Sequence, residues 1–216
     1  MKKIISSFLI LLSFSLNSFG ACEPQEAKLR TLWPEYIYSV YTSALNNGMS
    51  GKEIVKTGDQ ILKMAEFGMV DMKFAESILK TAENYKLGTE ERASRVSPYV
   101  QLAKTVFEES QSCLNNSTRT QCLDVLNRLQ KHTDMSVSYM SKINEEALMV
   151  SNDFTKMAQE LFSSVVENRD IPETLILNTM IAATNSYNNS ARAMPWMKEE
   201  IVVREKLELE FSNCLK

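Results

Sequence analysis

The chain has 216 residues, with 24 Lys or Arg against 27 Asp or Glu, one histidine, four cysteines and 12 methionines. The net charge of −3 is mixed in sign and offers no basic stripe for phosphates, which argues against a nucleic-acid partner. A single histidine closes off most histidine-dependent catalysis and the histidine-rich zinc sites.

The chain opens MKKIISSFLILLSFSLNSFG, a basic start followed by a short apolar run and small residues at Ser18, Gly20 and Ala21. That is the layout of a bacterial secretory signal peptide over residues 1–20. The run is too short to span a membrane, which takes roughly 20 apolar residues, and no later stretch reaches that length. Export to the periplasm or the medium is the expectation, with residues 21–216 as one all-helical domain. Removing residues 1–20 takes away Lys2 and Lys3 and no acid, leaving 22 basic against 27 acidic residues.

Cys22 follows the expected cleavage site, and Phe19-Gly20-Ala21-Cys22 loosely resembles a lipobox. The aromatic Phe19 and the even cysteine count both argue against a lipid anchor at Cys22, because lipidation would strand one thiol. The four cysteines, Cys22, Cys113, Cys122 and Cys214, instead suggest two disulfides in an oxidising compartment. The loop CLNNSTRTQC is too wide for a zinc knuckle or a C-x-x-C redox site. Closing it by a Cys113–Cys122 bridge is the simplest pairing, worth roughly 2–3 kcal/mol in the chain-entropy model. Cys22–Cys214 would then tie the ends.

Glycine and proline are sparse: no Gly follows residue 88, and no Pro lies between 98 and 172. Sheet proteins punctuate more often, so the fold class is all-α, a single-domain bundle of six to eight helices. Gly48, Gly68 and Gly88 each read as the glycine that ends a helix. Restart signals follow at Ser50 to Glu53, Asp71 and Thr89. These place helices over about 34–47, 51–67, 71–87 and 98–113, with a short piece possible over 89–95. The near-copy ILKMAE (61–66) and ILKTAE (78–83) reads as two successive amphipathic helices.

From Cys122 the apolar positions step by 4 and 3 through Leu126, Leu129, Thr133, Ser136, Met140, Ile143, Ala147, Val150, Phe154, Met157 and Leu161. That is a sustained heptad seam. It predicts a long helix over about 118–168, with a kink possible near Thr133. Another helix follows from Asp170 to about 193, and a last one starts at Pro195.

No nucleophile elbow, P-loop, dinucleotide fingerprint or haem motif occurs. Glu76-Ser77, Glu109-Ser110 and Tyr187-Asn188 echo fragments of lytic transglycosylase motifs. The family's Gly-Leu-Met-Gln stretch is missing, and Ser186 stands where it has Ala. His132 with Met135 and Met140 could suggest a Cu(I) site, but Met140 lies on the seam and His132 reads as a surface residue. No metal, cofactor or catalytic residue is therefore assigned.

Trp33, Tyr36, Tyr38 and Tyr41 form an aromatic stretch suited to a partner-binding patch. The Asn-rich stretch over 185–196 is a second candidate. The expected function is that of an exported, non-enzymatic helical binding protein with a protein partner, such as an envelope-assembly subunit, adaptor or immunity protein. Alternatives are a carboxylate-only enzyme, such as a peptidoglycan-cleaving glycosidase, or a small-molecule or metal carrier in the bundle core.

Overall fold

The computed structural model describes residues 22–216; the side chains of Trp33, Pro34, Tyr36, Ile37 and Tyr38 lie outside the described set, as does the expected signal peptide. The described residues form six α-helices: α1 Glu23–Met49, α2 Gly51–Glu66, α3 Met72–Ser94, α4 Val96–Asn115, α5 Leu123–Val166 and α6 Glu173–Leu215. A 3₁₀ turn at Thr120–Cys122 precedes α5. No strand occurs among the described residues, so the all-helical expectation holds.

Two helix breaks are slight. Ser50, between α1 and α2, keeps right-handed helical angles (φ −64°, ψ −18°), and so does Arg95 between α3 and α4 (φ −69°, ψ −21°). Ser50 does not cap α2; its hydroxyl bonds back to the Asn46 carbonyl at 2.6 Å. Thr89 does not restart a helix either. It lies buried inside α3 and bonds the Tyr85 carbonyl at 2.9 Å, so Gly88 is a helix-interior residue. The α2–α3 turn fits the expectation: Gly68 has φ +64°, and the Asp71 carboxylate accepts from Phe74 N–H at 2.7 Å.

The seam expected from Cys122 to Leu161 is buried at every named position. It runs as one helix without a break near Thr133. The Thr133 hydroxyl bonds the Leu129 carbonyl at 2.8 Å, and the single Ser136 O–H has the His132 carbonyl at 2.9 Å and a nearer acceptor on α6, Glu200 Oε1 at 2.6 Å, to choose between. Hydroxyls satisfied by i−4 carbonyls sit inside a helix without ending it. Pro195, expected to start a new helix, lies inside α6. There Ile176, Thr179, Ala183, Ser186, Ser190, Ala193, Met197, Glu200, Arg204, Leu207 and Phe211 are buried, with Ser212 beside the last of them. They alternate by 3 and 4 in one phase across the proline, so packing carries the helix through.

The chain divides into two compact units, the first built from pieces of α1, α4, α5 and α6 and the second mainly from α2, α3 and pieces of α1, α5 and α6. The first comprises the described residues up to 36 with 99–136 and 199–216; the second comprises 37–98 and 137–198. In the second unit Ile54, Ile61, Ala75, Ile78, Ala82, Val150, Phe154, Met157 and Leu161 form an apolar core. Tyr85 meets Phe154 edge-on with ring centroids 5.9 Å apart. Here α2 and α6 approach so closely that a Cβ on Gly51 would lie 2.5 Å from the Ala183 carbonyl oxygen. A Cβ on Gly48 would overlap the Ser190 hydroxyl at 1.4 Å. Gly48 is thus set by helix contact, not by a helix end.

The expected cysteine pairing is corrected. Cys22 bonds Cys113 and Cys122 bonds Cys214, with Cα separations of 5.8 and 5.7 Å, inside the range a disulfide bridges. Cys113 ends α4 facing the start of α1, while Cys122 sits on the α5 seam facing the end of α6. The two cysteines of the loop face different helices, so proximity in sequence does not pair them. Both bridges lie in the first unit. No helix among the described residues is long and apolar enough to cross a membrane.

Candidate functional site

Of the aromatic stretch proposed from sequence, Trp33, Tyr36 and Tyr38 have side chains outside the described residues. Tyr41 is 5 % exposed. It therefore belongs to the interior and is corrected from binding surface to core, its seam neighbours Val40 and Ala44 being buried with it. The Asn-rich stretch over 185–196 is ordinary α6, with Ser186, Ser190 and Ala193 facing inward and Asn189 bonding Glu146 at 2.8 Å.

His132 is half-buried and held by partners rather than free at the surface. Its Nδ1 meets Glu200 Oε1, and Ser136 gives its hydroxyl to the same oxygen at 2.6 Å. Arg204, fully buried, places Nη2 3.9 Å from that oxygen. Glu200 is itself 4 % exposed. The cluster joins α5 to α6 in the first unit. It is not a nucleophile–base pair, because Ser136 and His132 both turn to the carboxylate and the hydroxyl gives its proton there, not to imidazole. Its work is to satisfy a buried carboxylate.

A second polar cluster lies in the second unit. Asn47 gives its amide N–H to Asn144 Oδ1 at 2.8 Å, and Arg92 Nε gives to Asn47 Oδ1. Ser43 bonds the Arg92 carbonyl at 2.6 Å. The last turn of α1 has no base of its own, so Arg92 brings a cation from α3 to its negative end. Burial pushes the Tyr85 phenol above its ordinary range, with Arg92 opposing.

The acids that echo transglycosylase fragments do not converge. Glu109 bonds Lys28 at 2.6 Å across α1 and α4. Ser110 is buried and bonds the Val106 carbonyl. Glu76 is exposed on α3. Among the described residues no cluster of three His, Cys, Asp or Glu could hold a metal. Met140 and Met157 fill the interior.

Among its exposed residues the second unit also carries large apolar side chains. At the α2–α3 turn Phe67 is 69 % exposed, with Met69 and Met72 beside it in sequence and also exposed. Met64, Phe67 and Met69 line a groove of about 430 Å³, bordered by Lys56, Asp59, Gln60 and Lys63. Asp59 pairs with Lys63 at 2.7 Å, which holds that ammonium's pKa above its ordinary value. A second groove, of about 270 Å³, lies between α2 and α6 over Val55, Leu177, Met180 and Ile181. A third, of about 790 Å³, opens at the start of α6 around Ile171 and Pro172, with Asp170 and Glu173 on its border. The sequence reading passed over Phe67 because a residue before a glycine turn was counted only as the end of a helix.

No protein-family model, curated protein or solved structure matches the chain.

Proposed function

We propose that the chain is an exported, non-enzymatic binding protein of the periplasm or the medium, and that it docks an amphipathic helix of a protein partner on the surface around Phe67. The leader-like first twenty residues and the use of every cysteine in a bridge support export. The observation that carries the binding reading is the exposed Phe67 with Met64 and Met69 in a groove edged by lysines. Contiguous exposed apolar surface with a polar rim is the mark of an interaction site, and methionine adapts to an apolar helix face.

The rival readings find less support. A glycosidase needs one sheltered acid with a raised pKa. Asp170 and Glu173, which border the groove of about 790 Å³ at the start of α6, are both exposed, and Glu173 occupies the first turn of α6, where an acid suits the helix dipole. A carrier would keep room for cargo among the seam methionines, but Met157 packs in the core with Phe154 and Leu161 and Met140 is fully buried.

The test is a photo-crosslinking amino acid placed at Phe67, and for comparison at exposed Lys156 on α5, in the exported protein in its own cells. One discrete adduct from position 67, lost when Met69 is changed to Glu and not formed from position 156, is the expected result. Equal, diffuse labelling from both positions would contradict the reading.

A further inference from the structure

The turn that ends α2 pairs two methionines. Gly68 N–H bonds the Ala65 carbonyl at 2.9 Å and Met69 N–H bonds the Met64 carbonyl at 2.8 Å, with Gly68 at φ +64°. Those two bonds and the left-handed glycine make a Schellman close, which folds the residue after the glycine back onto the last turn of the helix. The side chains that such a close sets against each other are here Met69 and Met64, and both line the groove of about 430 Å³ with Phe67. Met69 is exposed and Met64 half-buried.

Access separates these sulfurs from those of the interior. Met140, Met157 and Met197 are buried. Met149 is exposed too, but it stands on α5 and takes no part in the groove. A thioether that solvent can reach is open to oxidation, and the sulfoxide is polar and chiral where the thioether was apolar and flexible.

We propose that Met64 and Met69 form a modification site at which a hydroperoxide switches the docking surface off, an inference that rests on the docking reading of the Phe67 groove. The sulfur lone pair attacks the terminal peroxide oxygen, and the S–O bond forms as the O–O bond breaks. The proton on the transferred oxygen passes to the leaving oxygen, which departs as water, or as an alcohol from an organic hydroperoxide. The sulfur gives up an electron pair and the peroxide takes it. Each sulfoxide then sets a polar S–O group against the apolar face of the partner helix, and a polar group covered without a donor costs affinity. A docked helix covers the same sulfurs, so the reaction acts on the undocked chain. Sulfoxide reductases return the thioether, which makes the change reversible.

The experiment uses cells whose exported chain carries the photo-crosslinking amino acid at position 67, illuminated with and without prior hydrogen peroxide. The chains compared are the otherwise native one, the double variant Met64→Leu with Met69→Leu, and Met149→Leu. Leu keeps the apolar volume and has no sulfur to oxidise. Peptide masses from the same samples report sulfoxide at each methionine. The expected result is sulfoxide at Met69 and an adduct reduced about tenfold by peroxide in the native and Met149→Leu chains, with the adduct kept in the double variant. An equal fall in the double variant, an undiminished adduct from a chain oxidised at Met69, or Met69 left intact where Met149 is oxidised overturns the site. Absence of any adduct from the untreated native chain refutes the docking reading itself, and the switch with it. Should the double variant fail to fold, Met69→Leu alone takes its place under the same outcomes.

Discussion

Glu200 shows how much one side chain can hold. Its Oε1 takes contacts from His132, Ser136 and Arg204, all within the first unit. Replacing it with Ala would leave Arg204 buried without that acid, and breaking a buried pair from one side costs about 3 kcal/mol or more. Urea unfolding of Glu200→Ala should report a loss of that order; a loss under about 1 kcal/mol would mean that the cluster is solvated or redundant. The residue was illegible in the sequence for a physical reason. A Glu in a run rich in Glu and Lys reads as solvated charge, and only the three-dimensional seam shows that its position faces inward. The contacts of half-buried His132 are hidden on the same ground, since its neighbour Lys131 is exposed and suggests an exposed face.

At the scale of elements, α5 was legible because its inward positions are nearly all apolar. α6 was not, although the spacing of its inward positions is equally regular. Thr179, Ser186, Ser190, Glu200 and Arg204 sit among them, and a pattern scored by hydrophobicity breaks there, just where Pro195 invites a boundary. Small residues on α6 are what let α1 and α2 come close, and the glycines opposite complete the fit. Two substitutions separate this from helix propensity. Gly51→Ala meets the Ala183 carbonyl, which is backbone and cannot turn aside; it should destabilise by about 1–3 kcal/mol. Gly88→Ala meets only the end of Arg92, at 3.3 Å; it should be neutral or stabilise by up to about 1 kcal/mol, as Ala replaces Gly inside a helix. Denaturant midpoints of the two variants check the pair, and a loss of the same size in both would contradict the close-contact account.

For the whole molecule, the division of labour between the units is chemical. The first unit contains both disulfides, with sequence separations of 91 and 92 residues. Loops of that length are worth about 4–5 kcal/mol each in the chain-entropy model, more than the short bridge the sequence suggested. The second unit contains no cysteine and rests on its apolar core. Removing Cys22 and Cys113 together, each to Ser, should therefore cost amide protection in the first unit, at Leu126 and Leu207, more than at Ile61 and Phe154 in the second. Hydrogen exchange reads this directly, and equal losses in both would refute it. The number of bridges was legible from cysteine parity, but their partners were not, because pairing depends on which helix each end faces.

The most direct test of the account is mass spectrometry of the protein purified from the organism that makes it, intact and after digestion without reduction. An exported, doubly bridged chain predicts a polypeptide beginning at Ala21, lighter by four hydrogens than its reduced form, with one linked peptide joining Cys22 to Cys113 and another joining Cys122 to Cys214. A retained leader, a lipid on Cys22, or a peptide joining Cys113 to Cys122 would contradict it.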